Sequence, residues 1–122
     1  MYRLKFLAVA LLLAVAALPA RAVELVMVEQ DGCIYCARWD AEIAPAYPST
    51  AEGRFAPLRR VDIRAIPPDI TLTRRVIFTP TFLLVDNHRE LARMEGYAGD
   101  QFFWPLLAEM LRDNAGFKGE GS

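Results

Sequence analysis

The only two cysteines of the chain stand three residues apart, Cys33-Ile34-Tyr35-Cys36, and what flanks them limits the fold that can carry them. The stretch before them, Glu24 to Glu29 (Glu-Leu-Val-Met-Val-Glu), is made of β-formers with a charged residue at each end and predicts a strand. Gln30-Asp31-Gly32 predicts a turn. From Cys33 the pattern becomes helical: Cys36, Trp39, Asp40 and Ile43 fall at i, i+3, i+4 and i+7, and Arg38 and Glu42 can pair on the other face. The cysteines therefore sit where a strand hands over to a helix, with Cys33 at the helix start.

That position carries chemistry. The first N–H groups of a helix have no intrahelical partner and the helix dipole is positive there, so an anion is favoured. A thiolate is such an anion, which predicts a Cys33 pKa below the free-thiol value of ~8.5. The i, i+3 spacing puts Cys36 on the same turn, where its sulfur can attack a mixed disulfide held on Cys33. Cys33 is then the nucleophile and Cys36 the resolving thiol. As a staple, a bridge closing so short a loop constrains the unfolded chain little.

The first 22 residues read as a targeting segment. Arg3 and Lys5 precede an apolar run from Phe6 to Leu18, followed by Ala20-Arg21-Ala22, a small-x-small cleavage pattern. The run is shorter than the ~18–20 apolar residues of a membrane span, so a signal peptide over 1–22 is expected rather than a retained anchor. No cysteine near the junction would carry a lipid, and no paired arginines mark the twin-arginine route. Cleavage after Ala22 would leave 100 of the 122 residues, enough for one small domain. In an exported protein two thiols this close form a disulfide unless something reduces them. The remaining chain keeps 11 of the 14 basic residues and all 15 acids, a net charge of −4. Its basic residues are scattered apart from Arg59-Arg60 and Arg74-Arg75, expected as solvated rims, and nucleic acid is not an expected partner.

Further along, Pro45 and Pro48 end or bend the first helix, and residues 49–56 read as loop. Leu58 to Ile63 predicts a second strand. Asp69 is expected to cap a short helix through about Arg75. Phe78 to Val85 predicts a strand with Pro80 near its entrance, where the missing N–H is tolerated. Asp86-Asn87-His88-Arg89 predicts a hairpin turn into Glu90 to Tyr97. Asp100 is read as the cap of a last helix, with Phe103, Leu106, Leu107, Met110 and Leu111 as its apolar stripe and Asn114-Ala115-Gly116 as its close. Trp39 and the cluster Phe102-Phe103-Trp104 are expected in the core. The domain spans 23–116, with 117–122 a flexible tail. The order β-α-β-α-β-β-α describes an α/β fold, a four-stranded mixed sheet flanked by helices.

The sequence of a strand, then Cys33-Ile34-Tyr35-Cys36, then Thr79-Pro80 ahead of a hairpin resembles the thioredoxin superfamily. The resemblance implies that the Thr79–Pro80 peptide is cis and faces the cysteines, and that Thr79 offers its backbone to a substrate segment as an added strand. Threonine before the proline is more like periplasmic disulfide isomerases and reductases than thioredoxin itself. The stretch Asp31-Gly32-Cys33-Ile34-Tyr35-Cys36-Ala37-Arg38-Trp39-Asp40 resembles a narrower group, the SoxS-type periplasmic thioredoxins associated with bacterial sulfur oxidation. That likeness implies a protein-disulfide reductase that keeps a partner protein thiol, on a sulfur-carrier protein, reduced. It further implies electrons from a membrane thiol-electron transporter. As such an enzyme the chain is expected to use no dissociable cofactor and to act as a monomer.

The chain departs from thioredoxin itself at three places: Gly32 stands for a tryptophan, Met27 for a buried aspartate, and Ile34-Tyr35 for Gly-Pro. The missing acid removes the usual proton acceptor for the resolving thiol, and Asp40, one turn after Cys36, is a candidate replacement or a solvent-facing acid. Tyr35, beside the sulfurs, is a candidate substrate contact alongside Thr79 and Pro80, as is Phe78.

Other uses of the motif remain open to different degrees. Haem attachment needs a histidine after Cys36, where Ala37 stands. Structural zinc takes four ligands, and two cysteines with His88, which reads as an exposed turn residue, do not supply them, so no metal is expected. A Cu(I) chaperone using both thiolates is the competing binding module, and a disulfide isomerase or oxidase is the competing enzyme. Thr79, the SoxS-type likeness and the small single domain favour the reductase.

Overall fold

The computed structural model describes residues 23–119. The proposed signal segment, 1–22, and tail residues 120–122 lie outside the described residues. Strand β1 (Val23–Glu29) is followed by helix α1 (Ile34–Glu42), a 3₁₀ turn at Tyr47–Ser49 and helix α2 (Ala51–Phe55). Strand β2 (Leu58–Asp62), a second 3₁₀ turn at Ile63–Ala65, strands β3 (Thr81–Asp86) and β4 (Arg89–Glu95), and helix α3 (Asp100–Ala115) complete the chain. The sheet order is β2-β1-β3-β4, with β1 parallel to β2 and antiparallel to β3. It is the expected mixed four-stranded sheet with flanking helices.

Strand β1 is central and covered on both faces, which is why it reads as a nearly unbroken apolar run. Leu25 and Met27 join Phe82 and Leu84 beneath the helices, with Trp39, Ile43, Phe103, Leu107 and Leu111. Trp39 is fully buried there, its ring in contact with those of Tyr47, Phe82 and Phe103. On the other face Val26, Val28, Val61, Leu83 and Val85 pack against Ile70 and Val76, residues of the connection between β2 and β3.

That connection is where the expected order fails. No helix runs from Asp69 to Arg75; Thr71 instead makes an isolated bridge with Arg89, and its N–H donates to the His88 carbonyl at 2.7 Å. Long-range partners on β4 outweigh the local capping signal. Conversely, the loop read at 49–56 contains α2. Thr50 caps it by accepting from the Gly53 N–H at 3.0 Å. Gly53 reads as a helix breaker, yet it is required, because a Cβ there would lie 1.8 Å from the Tyr47 carbonyl oxygen.

Element boundaries also shift, β2 ending at Asp62 and β4 spanning Arg89–Glu95. Strand β3 begins at Thr81, so Phe78, Thr79 and Pro80 precede it. Gly99 caps α3, while Asp100 is its first residue and accepts from the Gln101 N–H at 2.8 Å. Phe117, assigned to the tail, is buried edge-on against Phe55. Of the last helix's stripe, Leu106 is exposed, as is Phe102 of the aromatic cluster, whereas Phe103 is buried.

Candidate functional site

Cys33 is the N-cap of α1, with extended backbone (φ −78°, ψ 106°), and is joined to Cys36 by a disulfide across the first turn, Cα atoms 5.2 Å apart. A helix cap normally presents a side-chain oxygen to an unpaired N–H. Here the Cys33 sulfur takes that place and accepts from the Cys36 N–H at 3.1 Å. Once the bond is reduced, the same donor and the helix dipole meet a thiolate on Cys33. Gly32 delivers the chain to this position at φ +78°, a conformation side-chain-bearing residues rarely adopt.

The two sulfurs differ in access. Cys36 is 4% exposed and belongs to the core beneath the helices, whereas Cys33 is only half-buried. Of the two sulfur-bearing residues, Cys33 is the one open to solvent. A groove of about 400 Å³ opens beside the pair, lined among others by Gln30, Glu29, Ile34 and Asp40. Ile34, not Tyr35, lines it; Tyr35 points outward and is exposed.

The Thr79–Pro80 peptide is cis, with Pro80 buried and Thr79 half-buried. Gln30 Nε2 donates to Thr79 Oγ1 at 2.9 Å, tying this segment to the turn that precedes Cys33. The Thr81 hydroxyl donates to the Phe78 carbonyl at 2.7 Å, and the Gly96 N–H donates to the Pro80 carbonyl at 2.7 Å. Ile77 and Phe78 precede this pinned stretch and are 66% and 55% exposed. Ile34 and Tyr35 are exposed between the cysteines, so both segments linked by Gln30 present large apolar side chains to solvent.

Asp40 lines the same groove as Cys36, with its carboxylate held by Arg60 Nη2 at 2.7 Å. Arg60 also pairs with Glu29 at 2.9 Å and lies over the Trp39 ring, 5.6 Å from its centroid. Arg60 is exposed, as expected of a rim residue, and from there it joins β2 to β1 and α1. At the far end of α1, Tyr97 donates its hydroxyl to Glu42 and Arg38 pairs with Glu42 at 3.3 Å. The Tyr97 hydrogen bond and the Arg38 charge hold the Glu42 carboxyl below the usual carboxylate range. His88 lies in the hairpin turn, exposed, with its ring against Asp69.

Gln30, Ile77 and Arg60 join the site without having stood out in the sequence. Ile77 was legible as a second apolar residue beside Phe78 and Thr79-Pro80. Gln30 and Arg60 act over separations of 49 and 20 residues, and no local pattern announces them.

Neither a scan of protein-family models nor a search of curated proteins finds a match to this chain. Among solved structures, the periplasmic thioredoxin SoxS from Paracoccus pantotrophus, in its reduced form, is 56% identical, with a TM-score of 0.71. The match covers 95% of that chain and 73% of this one. The chain belongs to the thioredoxin superfamily. Within it the protein resembles the SoxS-type thioredoxins, and its Cys-x-x-Cys makes it a thiol–disulfide oxidoreductase.

Proposed function

We propose that the protein is a periplasmic protein-disulfide reductase that keeps a partner protein's thiol reduced, with Cys33 as nucleophile and Cys36 as resolving thiol. The observation that carries this reading is the asymmetry of the pair: a reachable Cys33 sulfur fed by the Cys36 N–H, and a Cys36 sulfur buried one turn behind. The likeness to a periplasmic thioredoxin supports the compartment and the reaction class. Ile34, Tyr35, Ile77 and Phe78 suit a polypeptide substrate with apolar residues near its disulfide, and Thr79 and Pro80 its extended backbone.

The Cys33 thiolate attacks one sulfur of the substrate disulfide. That S–S bond breaks, the other substrate sulfur leaves and takes a proton, and a mixed disulfide forms on Cys33. Cys36 gives up its proton and attacks Cys33 Sγ, releasing the second substrate sulfur as a thiol. The substrate has gained two electrons and two protons, and the protein holds the Cys33–Cys36 disulfide. A dithiol donor, of the membrane thiol-transporter class, reverses the last bond and resets the pair.

Trapping tests this. Cys36→Ala should accumulate a mixed disulfide with the natural partner through Cys33, while Cys33→Ala should accumulate none and reduce nothing. Equal behaviour of the two variants would contradict the assigned roles. A reductase should also have a reduction potential of about −200 mV or lower, and one near about −120 mV would make the protein an oxidant instead.

A further inference from the structure

Two charged side chains on β4 are buried away from the cysteines, and the reaction above does not use them. Glu90 and Arg93 form an ion pair at 2.6 Å with side chains 1% and 5% exposed. Residues three apart on a regular strand point to opposite faces. Here they meet because the β3–β4 register shifts between Leu84 and Val85: Leu84 pairs with Ala92 and Val85 with Glu90, leaving Leu91 extra. That bulge puts Glu90 and Arg93 on the face covered by the β2–β3 connection.

Beyond their bonds to each other, both side chains hydrogen-bond that connection. Arg93 donates to both Glu90 oxygens, at 2.8 and 2.6 Å, and to the carbonyls of Arg74 at 2.8 Å and Arg75 at 3.2 Å. Glu90 accepts from the Thr73 N–H at 3.2 Å and the Thr73 hydroxyl at 2.8 Å. A buried ion pair contributes little net stability compared with apolar residues of the same size. What apolar residues would not provide is partners for the backbone of residues 73–75, which lack helical hydrogen bonds of their own.

The next residues lead straight to the site. Val76 is buried, Ile77 and Phe78 stand exposed, and Thr79 is bonded to Gln30. We propose that the Glu90–Arg93 pair is a positioning device for substrate: it fixes residues 73–75 so that Ile77 and Phe78 are held as an apolar edge for the polypeptide flanking the target disulfide. This rests on the protein-disulfide reductase reading and adds to it the residues that set affinity for a protein substrate, as distinct from those that perform exchange.

The test compares the parent with Glu90→Leu/Arg93→Met, which removes both charges together, and with Arg93→Lys, which keeps the ion pair but cannot reach both carbonyls and the carboxylate at once. The probes are insulin as a protein disulfide and hydroxyethyl disulfide as a small one, with thermal unfolding recorded alongside. Both variants should fold, and both should raise KM for insulin by about fivefold or more while kcat and the small-disulfide rate stay within about twofold. A folded double variant with unchanged KM, or parallel loss on both probes, would make the pair purely structural and overturn the proposal. Failure of both variants to fold would do the same. A parent inert towards both probes would overturn the reductase reading itself, and the proposal with it.

Discussion

Gln30 Nε2 donates a hydrogen bond to Thr79 Oγ1 at 2.9 Å, joining two segments 49 residues apart in the chain. One leads into Cys33 and the other carries the cis proline. The bond is exposed, so its value to folding is small, whereas in the proposed reaction it lies between the nucleophile and the substrate edge.

Gln30→Ala should therefore separate stability from activity. The loss in unfolding free energy should not exceed about 1 kcal/mol. The kcat/KM for reduction of a protein disulfide should fall roughly threefold, about 0.7 kcal/mol of transition-state stabilisation. Chemical denaturation and steady-state kinetics on the same preparation check both numbers.

Gly53→Ala should behave in the opposite way. The added Cβ would press on the Tyr47 carbonyl, which already accepts from the Thr50 N–H at 3.2 Å and its hydroxyl at 2.7 Å. The backbone must shift or the Thr50 cap must break, at a cost of about 1–3 kcal/mol. For a domain of this size that lowers the melting temperature by roughly 4–8 °C per kcal/mol. The rate per folded molecule at 25 °C should be unchanged.

Acid should release the Glu90 clamp. Burial pushes the Glu90 carboxyl up, but hydrogen bonds from Arg93 and Thr73 and the Arg93 charge outweigh it, and the group ends below its ordinary range. Its folded pKa is thus lower than the unfolded value of about 4.3. The resulting stability is complete above that value and is lost as the pH falls through the folded pKa. Relative to Glu90→Leu/Arg93→Met, the parent should hold a constant stability difference above about pH 5 and lose ground below about pH 4. Melting temperatures of the two proteins between pH 7 and 3 give the comparison.

The elements that came out of the sequence are those whose signals are local. The β-formers of Glu24–Glu29, the strand-to-helix junction at Cys33, and the stripe through Phe103, Leu107 and Leu111 each encode their own environment, and the mixed sheet follows from them. The Asp69 helix did not form because Thr71 and Thr73 find partners in Arg89 and Glu90, contacts set by a bulge that no local pattern reveals. α2 was hidden because Gly53 reads as a breaker until Tyr47 is seen against it. At the site, the place of the cysteines at a helix start was legible in the flanking patterns, and the resemblance pointed to the cis Thr79–Pro80 peptide. Gln30, Arg60 and Arg93 belong to the tertiary structure, and only the folded chain shows what they hold.

The proposed chemistry requires Cys33 to be an activated thiolate at the start of α1, with Cys36 shielded behind it. Alkylation of the fully reduced protein with iodoacetamide across a pH series, with the modified residue mapped at each point, measures this directly. Modification should occur at Cys33 first, with a midpoint clearly below the ~8.5 of a free thiol. A midpoint at or above that value, or modification of Cys36 ahead of Cys33, would contradict it.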